Sequence, residues 1–309
     1  MPGAYAHITI VNEFRNTDKL LAIPNFPKEA AKAFLRWFKY AELGAVSPDY
    51  PYLAVGNSDA AEWADLMHYT HTGIMVQEGT RLLRAIAGEK RYKCLAWLLG
   101  YASHVTADVT VHPVVELKVG TYAENKSDHR TCEMHQDAFI FQKLGLGGVG
   151  VSDHLASGIG ACSSADDEDK LDADIIEFWS ALLQAVHPVK FAENPPDIHK
   201  WHERFNEIVD AISSAGGHLL PCARHVAADV GLIYPSVTQI DRQYIDSLKV
   251  PTGTMSYEAI FNESIRNVSG VWSDIARGTF DNNDTVLARF GEWNLDTGKD
   301  QNYKLVFWG

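Results

Sequence analysis

The chain has 309 residues, 46 % hydrophobic and 22 % charged, an ordinary globular composition that excludes a disordered chain. Forty acidic against 27 basic residues give a formal charge of −13, which disfavours a nucleic-acid binder relying on phosphate attraction. No apolar run approaches the roughly 18–20 residues needed to span a bilayer, and Cys94, Cys132, Cys162 and Cys222 form no CxxC pair, so neither a disulfide framework nor a thiolate zinc knuckle is expected.

In chain order, the apolar stretch Ala6 to Phe14 predicts a short helix, and Pro24 and Pro27 punctuate a turn. Ala30, Ala33, Phe34, Trp37, Phe38 and Ala41 recur at three- and four-residue spacing, which predicts one amphipathic helix over Lys28 to Leu43 with Gly44 as its stop. Gly44 to Ser58 reads as a proline-bounded loop. Ala60 to Ala87 reads as helix, interrupted around Gly73. A helix over Tyr92 to Val115 is expected to end at or just before Pro113, and Asp128 is placed to cap a further helix running to Leu144. The glycine- and serine-rich segment 145–170 is expected as a connection, either a plain surface loop or a lid. Leu171 to Val186, Ile198 to Ser213 and Tyr257 to Gly278 again show helical periodicity, and no strand alternation precedes the tail. The expected architecture is all-α, one domain over 1–309 with its chemistry in 1–140 and its C-terminal helices in 171–309.

Six of the thirteen histidines (His68, His71, His104, His112, His129, His135) fall between positions 68 and 135. His104, Asp108 and His112 follow one another at four-residue intervals in an otherwise apolar helix. Residues so spaced are displaced by about 40° around the axis and about 6 Å along it, so the three share one ribbon. Buried polar side chains are costly without a partner. Either a hydrogen-bonded core network or a bound metal satisfies them, and imidazole with carboxylate is a usual zinc donor set. His129, Glu133 and Asp137 repeat the spacing on the next helix; His135 lies off that stripe. Asp49, in Ser-Pro-Asp-Tyr-Pro, is a rigid turn residue or a positioned ligand. His68 and His71 compete as a further imidazole, and His7 is a core histidine or a ligand. His199 and His202 read as a solvated helix face, as do His154, His187, His218 and His225.

At these residues the sequence resembles the zinc-dependent phospholipase C family, whose fold is shared by single-strand-specific zinc nucleases and by the catalytic domain of glycosylphosphatidylinositol-specific phospholipase D. The order His7, Asp49, His68, His104-xxx-Asp108-xxx-His112, His129-xxx-Glu133 matches that family's ligand order over roughly residues 5 to 140. The resemblance implies two or three zinc ions (Zn2+). One would be held by Asp49, His68, His104 and Asp108, a second by His112, His129 and Glu133, and a third by His7 with Asp108 bridging. Family members with three ions complete the third site with a processed N-terminal Trp, which does not precede His7 here. The resemblance further implies hydrolysis of glycerophospholipids at a membrane surface, with Asp49 orienting or deprotonating the attacking water. Tyr50, Tyr52, Trp63 and Tyr69 would line a lipid or choline-like pocket, or they are core. Family members are commonly secreted or periplasmic, whereas Met1 to His7 carry neither a basic start nor an apolar h-region; a cytoplasmic location is the other expectation. A single-strand nuclease and a non-enzymatic protein with a structural zinc cluster are the competing readings, the nuclease being weakened by the acidic balance. The tail Phe290 to Gly298 resembles an ending seen in bacterial family members and carries no assigned role.

Overall fold

The computed structural model describes residues 3–54, 56–145, 156–164, 167, 170–214 and 235–308. Its axis is a 32-residue helix, α7 (Gly88–Val119), buried without interruption from Cys94 to Val115. A helix that is apolar nearly all round must be surrounded, and here the others surround it. Before α7 come α1 (Ala4–Glu13), α2 (Thr17–Leu21), α3 (Lys28–Arg36), α4 (Phe38–Val46), α5 (Ser58–Tyr69) and α6 (Thr72–Ala85). After it come α8 (Lys126–Phe141), α9 (Ala173–Val186), α10 (Pro188–Glu193), α11 (Ile198–Ser214), α12 (Tyr257–Phe280) and α13 (Asp284–Leu287). The fold is all-α. Two short antiparallel hairpins accompany the helices, Leu248–Val250 with Gly253–Met255 and Trp293–Asn294 with Lys299–Asp300. The first precedes the tail, where no strand was expected, because three residues are too few to show alternation. No helix among the described residues is long and apolar enough to cross a membrane.

Several boundaries differ from the sequence expectation, each for a packing reason. The helix expected over Lys28 to Leu43 breaks at Trp37 (φ −110°, ψ 29°), and Gly44 lies inside α4 rather than ending it. Gly44 is small for α7's sake. A Cβ there would lie 2.0 Å from the Trp97 carbonyl oxygen, and a Cβ at Gly100 would lie 2.0 Å from that of Ala41. The two backbones therefore touch across reciprocal glycines. Past Val46 the chain enters a 3-10 turn, Ser47–Leu53, where Pro48 and Pro51 lack the N–H groups an α-helix would use. The interruption after α5 falls at His71, which adopts a left-handed conformation (φ 59°), not at Gly73. Gly73 sits inside α6 because the tail presses on it: a Cβ would lie 2.5 Å from the Gly291 carbonyl oxygen.

Helix α7 also passes through Pro113, where it was expected to stop. Pro113 has no N–H to pair with the Val109 carbonyl, and the tail closes over that place. A Cβ at Gly298 (φ 65°) would lie 2.5 Å from the Val109 oxygen and 2.4 Å from Pro113 Cγ. Helix α8 begins two residues before Asp128, with Asn125 at its N-cap. Of the segment 145–170, residues 156–160 form a π-helical turn, and 146–155, 165–166 and 168–169 lie outside the described residues, as do His154, His218, Cys222 and His225.

Two outcomes follow from this packing. Gly100→Ala would gain about 1 kcal/mol of helix propensity, but the backbone collision costs roughly 1–3 kcal/mol or more, so denaturant unfolding should show net destabilisation; a stabilised variant would refute the close approach. Glu42, on α4, accepts from Asn12 Nδ2 of α1 at 2.8 Å, and burial raises its carboxyl to about 7. Its unfolded value is about 4.3, so its contribution is complete below that pH and is lost as pH rises through 7. Glu42→Gln should therefore stabilise at pH 8, by of order 2–3 kcal/mol, and change little at pH 4; equal shifts at both pH values would contradict the assignment.

Candidate metal centre

Three helices and one turn converge on the buried length of α7. That helix supplies His104, Asp108 and His112; α8 supplies His129 and Glu133; α1 supplies His7; α5 supplies His68; and the 3-10 turn supplies Asp49. All eight side chains are buried. Helix α1 has no side-chain cap of its own at Gly3. The Asp137 carboxylate of α8 replaces it, accepting from the Tyr5 and Ala6 N–H groups at 3.3 and 3.0 Å. A carboxylate at a helix N-terminus is favourable for both orphan donors and dipole. The stripe that presents His129 and Glu133 thus also holds the helix that presents His7.

The backbone orients four of the five imidazoles. His104 Nδ1 donates to the Ala45 carbonyl at 2.8 Å, and His68 Nδ1 to that of Ala64 at 2.7 Å. His112 Nδ1 donates to the Leu295 carbonyl at 2.5 Å, and His129 Nε2 to that of Gly120 at 2.6 Å. Each bond takes up the ring N–H, which sets the tautomer and leaves the opposite nitrogen as a lone-pair donor. The α4–α7 glycine contact is what brings Ala45 within reach of His104.

Those opposite nitrogens face carboxylates. Asp108 presents one oxygen to each of two rings, with Oδ1 3.3 Å from His7 Nε2 and Oδ2 3.3 Å from His104 Nε2. His68 Nε2 lies 3.4 Å from Asp49 Oδ1. Glu133 Oε1 lies 3.8 Å from His129 Nδ1 and 4.0 Å from His112 Nε2. Two ligands of a tetrahedral zinc, each about 2.0–2.1 Å from the ion, stand roughly 3.3–3.4 Å apart. The first three separations match that spacing, and the Glu133 group is wider. Among the described residues His7, His104 and Asp108 form one triad that could hold an ion, and Asp49, His68 and His104 form another. His104 belongs to both.

Among the described residues, seven buried atoms of this cluster have no hydrogen-bond partner: His7 Nδ1 and Nε2, Asp49 Oδ1, His104 Nε2, Asp108 Oδ1 and Oδ2, and His112 Nε2. Leaving one buried polar group unsatisfied costs about 1–3 kcal/mol, more if it is charged. A hydrogen-bonded core network would align these atoms with one another, and they are not so aligned. Donor type, spacing and orphaned atoms all fit divalent cations.

The electrostatics agree. Burial pushes the Asp49 and Asp108 carboxyls up, but the imidazoles around them, His104 foremost, hold both below the usual carboxylate range. Burial lowers His112 to about 4 and, with His104 beside it, lowers His7. The positive charge that two buried carboxylates demand falls on His104, which burial pushes down but Asp108 pulls up. Deprotonated carboxylates and largely neutral imidazoles are the forms that bind metal, and a cation held here would take the place of the proton on His104.

Other histidines and aromatics stand apart. His71 pairs through Nδ1 with Glu292 and stacks on His187 at 5.5 Å, so His68 and not His71 accompanies Asp49. His135 Nδ1 accepts the Asp241 N–H. His187 and His202 were expected on solvated faces and are buried; His202 Nδ1 meets Tyr50 Oη at 3.2 Å. Tyr50 packs on Phe205, and Trp63 donates to the Asn194 carbonyl, so both are core contacts in this structure. Tyr52 and Tyr69 are half-buried, their hydroxyls donating to Asp65 and Asp296. Tyr122, also half-buried, meets His129 edge-on at 5.4 Å. Sequence reasoning assigned nothing to Asp296, to Tyr122 or to the carbonyls that orient the rings. A carbonyl carries no side-chain signal, and Asp296 stands 163 positions beyond Glu133.

A sequence model of the family described as zinc dependent phospholipase C matches residues 6–189, a span holding all eight side chains. No curated protein and no solved structure matches the chain.

Since His104 serves both triads, His104→Ala should lose the metal of both. His129→Ala should retain metal at the Asp49–His68–His104 group. Elemental analysis of the purified variants checks this, and undiminished metal in His104→Ala would sink the assignment.

Proposed function

The chain belongs to the zinc-dependent phospholipase C family, and from that premise we propose that it hydrolyses glycerophospholipids to diacylglycerol and a phosphorylated head group. The observation that carries this reading is the buried His/Asp cluster with seven orphaned donor atoms, placed beside half-buried tyrosines. We assign His7, Asp49, His68, His104, Asp108, His112, His129 and Glu133 as its zinc ligands. When bound, zinc ions supply Lewis-acid neutralisation of phosphoryl oxygens and raise the acidity of water.

The chain's own residues do the rest. Residual exposure in the cluster falls on Asp49, His129, His112 and Glu133 (5, 3, 2 and 1 %), while His7, His68, His104 and Asp108 have none, so the phosphodiester reaches the cluster past these four side chains. Asp49 is held by His68 and stays anionic at neutral pH. It orients the attacking water and accepts its proton. The water oxygen bonds to phosphorus as the bond from phosphorus to the glycerol oxygen breaks; that alkoxide takes a proton from solvent, and Asp49 returns to solvent the one it accepted. Tyr52 and Tyr69 offer ring faces and Asp65 a carboxylate to a cationic head group.

Phosphatidylcholine, phosphatidylethanolamine and single-stranded DNA, offered in parallel, test the reading. The expected result is diacylglycerol release that stops on chelation and returns with zinc, and that Asp49→Asn lowers at least 100-fold. DNA cleavage without lipid turnover would replace it with the nuclease reading, and metal binding without any turnover would leave a structural zinc protein.

A further inference from the structure

The tail segment Gly291 to Asp296 lies a hundred residues beyond the family-matched span, yet it is built into the metal centre. It clasps the end of α5 and the start of α6. The Leu295 N–H donates to the His68 carbonyl at 3.1 Å, the Gly73 N–H to the Gly291 carbonyl at 3.0 Å, and Thr72 Oγ1 to the Trp293 carbonyl at 2.7 Å. Glu292 accepts the His71 N–H at 2.7 Å. Asn294 Oδ1 then accepts the N–H groups of Asp296 and Thr297, both at 3.0 Å, which turns the chain and sets the Asp296 carboxylate beside the cluster.

Two groups of this segment meet one ring. The Leu295 carbonyl accepts from His112 Nδ1, and Asp296 Oδ1 stands 3.8 Å from the same nitrogen. The other oxygen, Oδ2, accepts the Tyr69 hydroxyl at 2.9 Å, which ties the carboxylate to the end of α5. We propose that Asp296 is a positioning residue of the metal centre: its charge, behind the Nδ1–H of His112, makes Nε2 a stronger donor and holds that ring toward His129 and Glu133. The partner hydrogen-bonded behind a ligating imidazole fixes its direction and raises its basicity, and its loss costs about 10–100-fold in metal affinity; here the Leu295 carbonyl takes that bond, and Asp296, 3.8 Å away, acts on the ring through its charge. The carbonyl alone fixes direction. The carboxylate adds the charge.

The inference rests on the ligand assignment above and not on the lipid substrate. Asp296→Asn keeps the shape and the acceptor for Tyr69 while removing the charge, and Asp296→Ala removes both. Chelator competition should show zinc held more weakly in each variant, by up to about 10-fold. The visible absorption of the cobalt(II)-substituted protein should change in both. The metal-free Tm of Asp296→Asn should match that of metal-free wild type. Wild-type affinity and an unchanged cobalt spectrum in Asp296→Asn would overturn the role of Asp296 and leave the ligand assignment standing. A wild-type protein that binds no zinc would overturn both.

Discussion

The carboxylate of Asp108 is buried completely in the middle of the central helix, with an imidazole 3.3 Å from each oxygen. An ionised carboxylate in such a place is tolerable only with compensating charge. Everything around it is arranged to supply that charge: His104 from the preceding turn of the same helix, His7 from α1, and His112 one turn on. Asp49 and Glu133 extend the same demand to either side. A cation answers it where a proton on His104 does so only in part.

Keeping those rings aimed inward is the work of the backbone. Four carbonyls, from α4, α5, the end of α7 and the tail, each take one ring N–H. Each carbonyl must arrive at a set height, and that explains several glycines. Gly44 and Gly100 let α4 lie against α7 so that Ala45 reaches His104, and Gly298 lets the tail settle over Pro113 so that Leu295 reaches His112. Asp137 does the same for α1 by capping it from α8. The helix packing and the candidate metal centre are therefore one construction: a change at Gly100 is felt at His104 through the Ala45 carbonyl of α4.

Much of this was legible in one dimension. Four-residue spacing puts His104, Asp108 and His112 on one ribbon, and His129 with Glu133 on another, because 3.6 residues make a turn. Helical periodicity likewise announced the all-α class. Where the periodicity misled, a neighbour was responsible. Gly44 looks like a helix stop and is a contact surface; Pro113 looks like a terminus and is a seat for the tail; the break near Gly73 belongs to His71, whose backbone is left-handed and whose ring pairs with Glu292. Tyr50 and Trp63, aromatic and near Asp49 in sequence, face the core because α11 and the segment after α10 cover them.

By itself the sequence determined the candidate donor set: which imidazoles and carboxylates share a helix face is a matter of periodicity, a local property of the chain. The tertiary structure alone decided which of them meet across helices, that His68 rather than His71 joins Asp49, and that Leu295 and Asp296 stand behind His112. Those choices depend on how closely two backbones approach and on where carbonyls and a distant tail come to rest. No spacing along the chain records them, because partners such as His112 and Leu295, 183 residues apart, are joined only by the packing between.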